Sequence, residues 1–241
     1  SCERHLRDLK EGKKRGIYFD EKAANRIINY FKMTRHYKGD VAGQPFVLEP
    51  WQMFLVGSLF GWKRQDGLRR FRKAYIEVPR KNGKSPLTAM ISTYLAFFDN
   101  EPGAEVYCVA TKEKQARIVF NDAVQFVKNA HPLVKDKIKF TGRSHITNMY
   151  CDKSVSKFEA LGSDSETLDG LNIHGAIIDE FHAHKTKRLY DVLDSGMGSR
   201  KQPMLIMITT AGFNLNSPCY ETRNYAASLV EGLFGFSKDD D

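Results

Sequence analysis

The sequence has no apolar run long enough to cross a bilayer. Its longest, Met53–Phe60 and Met204–Ile208, fall far short of the roughly 20 residues that a spanning helix needs. The opening stretch, Ser1–Gly16, is charged from its first few residues and carries no apolar core of the secretory kind. Cysteine is scarce. Cys2, Cys108, Cys151 and Cys219 stand far apart, which excludes a paired zinc motif and a disulfide framework. Internal repeats and low-complexity tracts are also missing. These absences leave a cytoplasmic, globular chain built around one large hydrophobic core, with at most a small appended portion.

Charge is present and unevenly placed. The net charge is +8 over 241 residues. Residues 1–40 hold eleven Lys and Arg against six Asp and Glu, and residues 63–84 hold nine against two. The remainder is net acidic. A concentrated positive field attracts polyanions, although a solvated basic face is the ordinary alternative.

Hydrophobic spacing divides the chain. Ala23, Ile27, Ile28 and Phe31 predict a helix within 17–39, capped by Asp20. Gln52–Trp62 reads as a second helix, ended near Gly61. From Arg72 onward strands and helices alternate. Ala74–Val78, Glu105–Ala110, Ala176–Ile178 and Met204–Thr209 are core strands; Lys137–Phe140 and Val155–Ala160 are weaker ones. Leu87–Phe98 predicts a buried helix. Thr111 is expected to cap another helix that runs to Ala130, and a shorter one lies near Leu189–Leu193. This order predicts an α/β fold with a mainly parallel central sheet flanked by helices. The expected units are an N-terminal helical portion (1–71), a core (72–213) and a C-terminal helix or linker (214–241).

The strongest chemical signal is Pro79-Arg80-Lys81-Asn82-Gly83-Lys84-Ser85, between a strand and a helix. That context suits a phosphate-binding loop. Backbone N–H groups cradle phosphates, Gly83 permits close approach, Lys84 reaches the terminal phosphates and the Ser85 hydroxyl binds Mg²⁺. The usual opening glycine is replaced by Val78. The second signal is Ala176-Ile177-Ile178-Asp179-Glu180, a buried strand that delivers two carboxylates to its carboxyl end. Asp179 is the expected metal ligand and Glu180 the expected general base. Thr209-Thr210-Ala211-Gly212 closes the fourth core strand, where hydroxyls could sense a terminal phosphate. Upstream, the Gln52 amide has both a donor and an acceptor with which to read an adenine edge; a helix-start glutamine beside a buried Trp51 is the plain alternative. His182 and His184, with His174 before them, offer a rival metal site with Asp179, but their spacing matches no zinc signature.

Taken together these motifs resemble the ATPase domain of phage large terminase subunits, over roughly residues 40–215. The resemblance gives Trp51-Gln52 as the adenine motif. It makes the deviant loop an agreement, since Arg80 stands where that family has an arginine four residues before the lysine. It matches Asp179-Glu180 to the Walker B acids, Thr209–Ala211 to the coupling motif and Thr111–Ala116 to the segment after the second core strand. It implies a P-loop NTPase fold of the ASCE/RecA-like type. ATP and Mg²⁺ are the implied ligands, with Arg80, Lys81, Asn82, Gly83, Lys84 and Ser85 around the nucleotide. The implied partners are double-stranded DNA, further copies of the chain in a ring, a portal and a small terminase subunit, at a viral procapsid in the host cytoplasm. In Thr167–Leu171, where some relatives carry a trans-acting arginine, this chain has Asp169. Arg200 is then the first candidate for that role and Arg143 the second. No nuclease segment is expected within these residues. Two rivals differ in class. Asp179-Glu180-Phe181-His182 is similar to a helicase DEAH box, which makes the chain the first lobe of a helicase. A basic, non-catalytic nucleic-acid scaffold with a vestigial loop is the other.

Overall fold

The computed structural model describes residues 1–142, 145–162, 168, 170–212 and 214–231. Nine strands and eight α-helices are arranged around one seven-stranded sheet, and two short strands pair separately, among the described residues. The strands are β1 (Ile17–Phe19), β2 (Trp62–Arg64), β3 (Lys73–Glu77), β4 (Glu105–Ala110), β5 (Lys139–Thr141), β6 (Asn148–Cys151), β7 (Ser156–Gly162), β8 (Ile173–Ile178) and β9 (Met204–Thr209). The helices are α1 (Cys2–Glu11), α2 (Glu21–Lys32), α3 (Pro50–Gly61), α4 (Lys84–Phe97), α5 (Glu113–Lys128), α6 (Pro132–Lys135), α7 (Arg188–Gly196) and α8 (Pro218–Glu231).

The sheet order is β3-β9-β8-β4-β7-β6-β5. The first five strands are mutually parallel, and β6 and β5 close the far edge antiparallel. Parallel strands bury both faces, so β8 and β9 are apolar nearly throughout rather than alternating. On one face Ile76, Cys108, Ile177, Ile206 and Ile208 pack with residues of α2 to α5. On the other, Tyr107, Val109, Ile178, Leu205 and Met207 pack with Leu189 and Leu193 of α7 and Cys219 of α8. Each fully buried aliphatic side chain contributes about 1.5–3 kcal/mol.

Local signals account for most boundaries. The Asp20 side chain accepts the Ala23 N–H at 3.0 Å, which caps α2 as expected. Two expectations need correction. Thr111 does not cap α5: Lys112 holds that position, while the Thr111 hydroxyl donates to Gln115 Oε1. Strand β6 was not expected; it forms an antiparallel hairpin with β7, whose turn (152–155) has no strong glycine signal.

The basic stretch 63–84 is split by the fold. Arg69 and Arg70 are buried, 1% exposed each. Arg70 Nη1 lies 2.7 Å from Asp8 Oδ2, and Arg15 shares that carboxylate at 2.6 Å. Arg69 Nη1 reaches both Asp99 oxygens, at 2.6 and 2.5 Å, and His174 Nε2 sits 2.6 Å from Asp99 Oδ2. The Asp99 cluster ties the N-terminal portion to the core, whereas the Asp8 cluster lies within that portion, and both carboxylates offset positive charge of the basic stretches. Burial alone would raise the Asp99 pKa, but Arg69 and His174 outweigh it and hold the carboxyl below its ordinary value. Breaking a buried pair from one side strands the other charge. Arg69→Ala is therefore expected to cost about 3 kcal/mol in a denaturant titration. A loss under about 1 kcal/mol, the range of an exposed pair, would contradict this account.

Candidate active site

Because the five central strands are parallel, their carboxyl ends share one edge. The chain leaves β3 at Val78, β8 at Asp179 and β9 at Thr210, and these exits are pinned by backbone bonds. The Val78 N–H donates to Thr209 O at 3.0 Å, and the Asp179 N–H donates to Val109 O at 2.9 Å. Strand β9 lies between β3 and β8. The phosphate-loop candidate and the acidic pair therefore flank the Thr-Thr segment.

The loop after β3 turns sharply. Lys81 (φ +65°) and Gly83 (φ +71°) are both left-handed, and α4 starts at Lys84. A β-carbon on Gly83 would meet the Gln52 amide nitrogen at 3.4 Å, an ordinary contact, so it is the left-handed dihedral that calls for glycine. Lys84 Nζ donates to Val78 O and Pro79 O, each at 3.2 Å, and thus lies over the loop itself. Asn82 Nδ2 donates to Arg80 O at 3.1 Å. Arg80 and Lys81 are exposed. The N-terminus of the 14-residue helix α4 faces the same side, and its free N–H groups favour anions.

Gln52 is buried within α3, and its Oε1 accepts the Glu49 N–H at 3.0 Å. The Gln52 half of the plain expectation, a residue bonding its own helix start, is met, but Trp51 is 38% exposed rather than buried. The amide nitrogen is the part that adjoins the loop.

Asp179 is buried and makes no ion pair among the described residues. Its pKa is pushed up to about 6, first by burial and then by the neighbouring Glu180 charge. The Glu180 N–H, 3.0 Å from Asp179 Oδ1, and the charge of Lys84 act in the opposite sense. The Lys84 loop and Asp179 thus stand on either side of the end of β9. Glu180 itself is left-handed (φ 49°, ψ 49°). A non-glycine residue held there carries strain of about 1–2 kcal/mol, a feature concentrated at working sites. Phe181–Ala183 then forms one 3₁₀ turn.

The histidines do not build a metal site. Among the described residues no three His, Cys, Asp or Glu side chains gather as a ligand set. His182 Nδ1 instead approaches Thr209 Oγ1 and Glu180 Oε2. His184 is buried next to the Asp179 backbone; burial lowers its pKa, partly offset by that backbone hydrogen bond. His174 belongs to the Asp99 cluster at the amino ends of the strands.

Residues 50–228 match the family of the terminase large subunit, ATPase domain. The chain belongs to that family. Among solved structures, the HK97 bacteriophage large terminase superposes with a TM-score of 0.70 at 22% identity, over 86% of this chain and 41% of that one. A large terminase from a thermophilic bacteriophage superposes with a TM-score of 0.53 at 11% identity, over 67% of this chain and 39% of that one. These likenesses show the fold. Protein YmfN of Escherichia coli is 44% identical over 64 residues, which span 27% of this chain and 14% of that protein. The chain thus spans less than half of each of these relatives.

The terminase ATPase domain keeps its phosphate loop, acidic pair and Thr-Thr segment on one edge of the sheet, but Arg200 elsewhere. Arg200 lies at the opposite, amino edge. Its guanidinium donates to Asn172 Oδ1, Glu101 Oε1 and the carbonyls of Pro102 and Gly103, and its side chain is 11% exposed. These acceptors hold the guanidinium within its own chain, and it would have to leave them to reach a neighbour. Arg143, Thr167 and Asp169 lie outside the described residues, as do residues 232–241.

Proposed function

We propose that this terminase ATPase domain hydrolyses ATP with Mg²⁺ to drive double-stranded DNA into a viral procapsid. The observation that carries the reading is the placement of the Lys84 loop after β3 and of Asp179 after β8, on either side of β9 at one edge of the sheet. A triphosphate needs an ammonium and a metal-bearing carboxylate at one place, and these two groups supply them.

The loop 79–85 and the start of α4 hold the phosphates through backbone N–H groups. Lys84 exchanges its two carbonyl acceptors for phosphate oxygens, which are stronger partners. Arg80 and Lys81 add exposed positive charge beside the loop, and Arg80 stabilises the charge of the transferring phosphoryl group. Asn82 and Gly83 shape the turn. Gln52 presents its amide from the α3 side, toward the base. Ser85 and Asp179 fit a Mg²⁺ ion, which commonly takes one or two protein oxygens beside phosphates and water; a buried carboxylate without a cation partner suits that role. The ion supplies charge neutralisation at the phosphates. Glu180 orients the attacking water and takes its proton. Thr209 and Thr210 register loss of the terminal phosphate at the end of β9.

DNA, a ring of like subunits, a portal and a small terminase subunit are the proposed partners, in the host cytoplasm. Gln52 comes from the 1–71 portion, and the remaining roles fall in the 72–213 core.

Lys84→Ala tests the reading in assembled protein supplied with double-stranded DNA. Turnover and nucleotide affinity should both fall, each by about tenfold or more. Wild-type affinity in a titration calorimeter would remove the phosphate-loop assignment and favour the scaffold reading. Strand separation by the full-length protein would favour the helicase one.

A further inference from the structure

His182 has no part in the chemistry above, yet it touches two groups that do. Its ring Nδ1 lies 2.8 Å from Thr209 Oγ1 and 3.2 Å from Glu180 Oε2. Its backbone N–H also donates to Thr209 Oγ1, at 3.1 Å. The Thr209 hydroxyl donates to Thr210 O at 2.8 Å. A hydroxyl has one proton, so toward the ring it is an acceptor. The ring therefore carries hydrogen on Nδ1, and this one N–H is divided between a hydroxyl of β9 and the carboxylate of Glu180. The exit from β9 also wraps this residue: a β-carbon on Gly212 would come within 3.0 Å of His182 Cβ.

We propose that His182 is a positioning residue for ATP hydrolysis, whose Nδ1–H ties the Glu180 carboxylate to the Thr209–Thr210 end of β9. The Glu180 side chain is about a third exposed, and without a fixed donor it would sample several rotamers. The shared N–H narrows that choice. It also links the base to β9. When the Thr209 hydroxyl moves away, the whole N–H goes to Glu180; when it closes in, it draws the N–H off. Base geometry and the state of the Thr209–Thr210 segment therefore change together, through two discrete hydrogen-bond arrangements. The inference rests on Glu180 being the base.

The test is steady-state hydrolysis by assembled protein with double-stranded DNA. Four variants are compared: His182→Ala, His182→Asn, His182→Gln and Thr209→Val. Asparagine keeps a donor at the bond distance of Nδ1 from the backbone, whereas glutamine moves it one carbon outward. His182→Ala and His182→Gln should lower kcat about ten- to a hundredfold with KM for ATP nearly unchanged, as misplacement of a reacting group does. His182→Asn should recover most of the loss. Thr209→Val is close in shape, so it tests the link even if a histidine variant folds poorly. Combined with His182→Ala it should add little to the larger single effect. Wild-type kcat in His182→Ala, no recovery with asparagine, or fully additive losses with Thr209→Val would each overturn the proposal. Failure of the underlying reading looks different: Glu180→Gln would then itself turn over at the wild-type rate.

Discussion

Glu180→Gln is expected to bind ATP like the wild type and to turn it over about a hundred- to ten-thousandfold more slowly, the usual contribution of a placed general base. Glutamine preserves the volume and the backbone strain of a residue held at φ 49°. It removes the proton acceptor, keeps Lys84, Ser85 and Asp179 in place, and relieves the charge repulsion on Asp179. The loss should therefore fall on kcat and spare KM. Single-turnover hydrolysis measured beside nucleotide binding checks this. Turnover near the wild-type rate would reassign the base. Parallel losses in binding would mean that Glu180 shapes the nucleotide site rather than the water.

Asp179→Asn should lose Mg²⁺-dependent turnover by about a thousandfold, since metal stabilisation of phosphoryl charge is worth several kcal/mol. The same change should make the metal-free protein more stable. The folded carboxyl titrates near 6 against 3.8 for the ordinary group. Between these values the folded state holds the extra proton, so stability falls as pH rises through the window and stays lowered above it. At pH 8 the full difference applies, about 3 kcal/mol at most. Asparagine carries no charge and escapes that penalty. For a domain of this size each kcal/mol moves Tm by about 2–4 °C, so the variant should melt several degrees higher at pH 8 and near the wild type at pH 4. Adding Mg²⁺ and nucleotide should raise the wild-type Tm and largely close the gap. Wild-type Mg²⁺ affinity should also decline as pH falls below about 6, because protons then compete with the cation for Asp179, and saturating Mg²⁺ should carry the loss of turnover to lower pH. Equal melting at pH 8 would show that Asp179 is not destabilised by its burial beside Glu180.

Much of the candidate site was legible before folding. Lys84 and Ser85 after a strand, and Asp179 and Glu180 after another, occupy positions where parallel strands end. Strand length and apolar runs are local properties, and they located β4 and β9 to the residue. Gln52 was legible in place but not in bonding, because either role fits a glutamine at a helix start. The bonding of Arg200 was not legible in the sequence. An exposed-looking Gly-Ser-Arg-Lys loop says nothing about which edge of the sheet it meets, and Arg200 meets the amino edge, where Glu101 and Asn172 wait for it. The basic stretch was misread in part for the same reason, since sequence spacing does not reveal that Asp8 and Asp99 neutralise Arg70 and Arg69.

The sequence by itself determined which segments become strands, which loops hang from their carboxyl ends and which residue types those loops carry, because periodicity, capping and turn chemistry act over a few residues. Only the tertiary structure decided that β9 inserts between β3 and β8, and so set Thr209 beside His182, 27 positions earlier in the chain. Strand order comes from how both faces of the sheet can be covered at once, and no local pattern encodes it. The hydrogen bond between His182 and Thr209 is a consequence of that order.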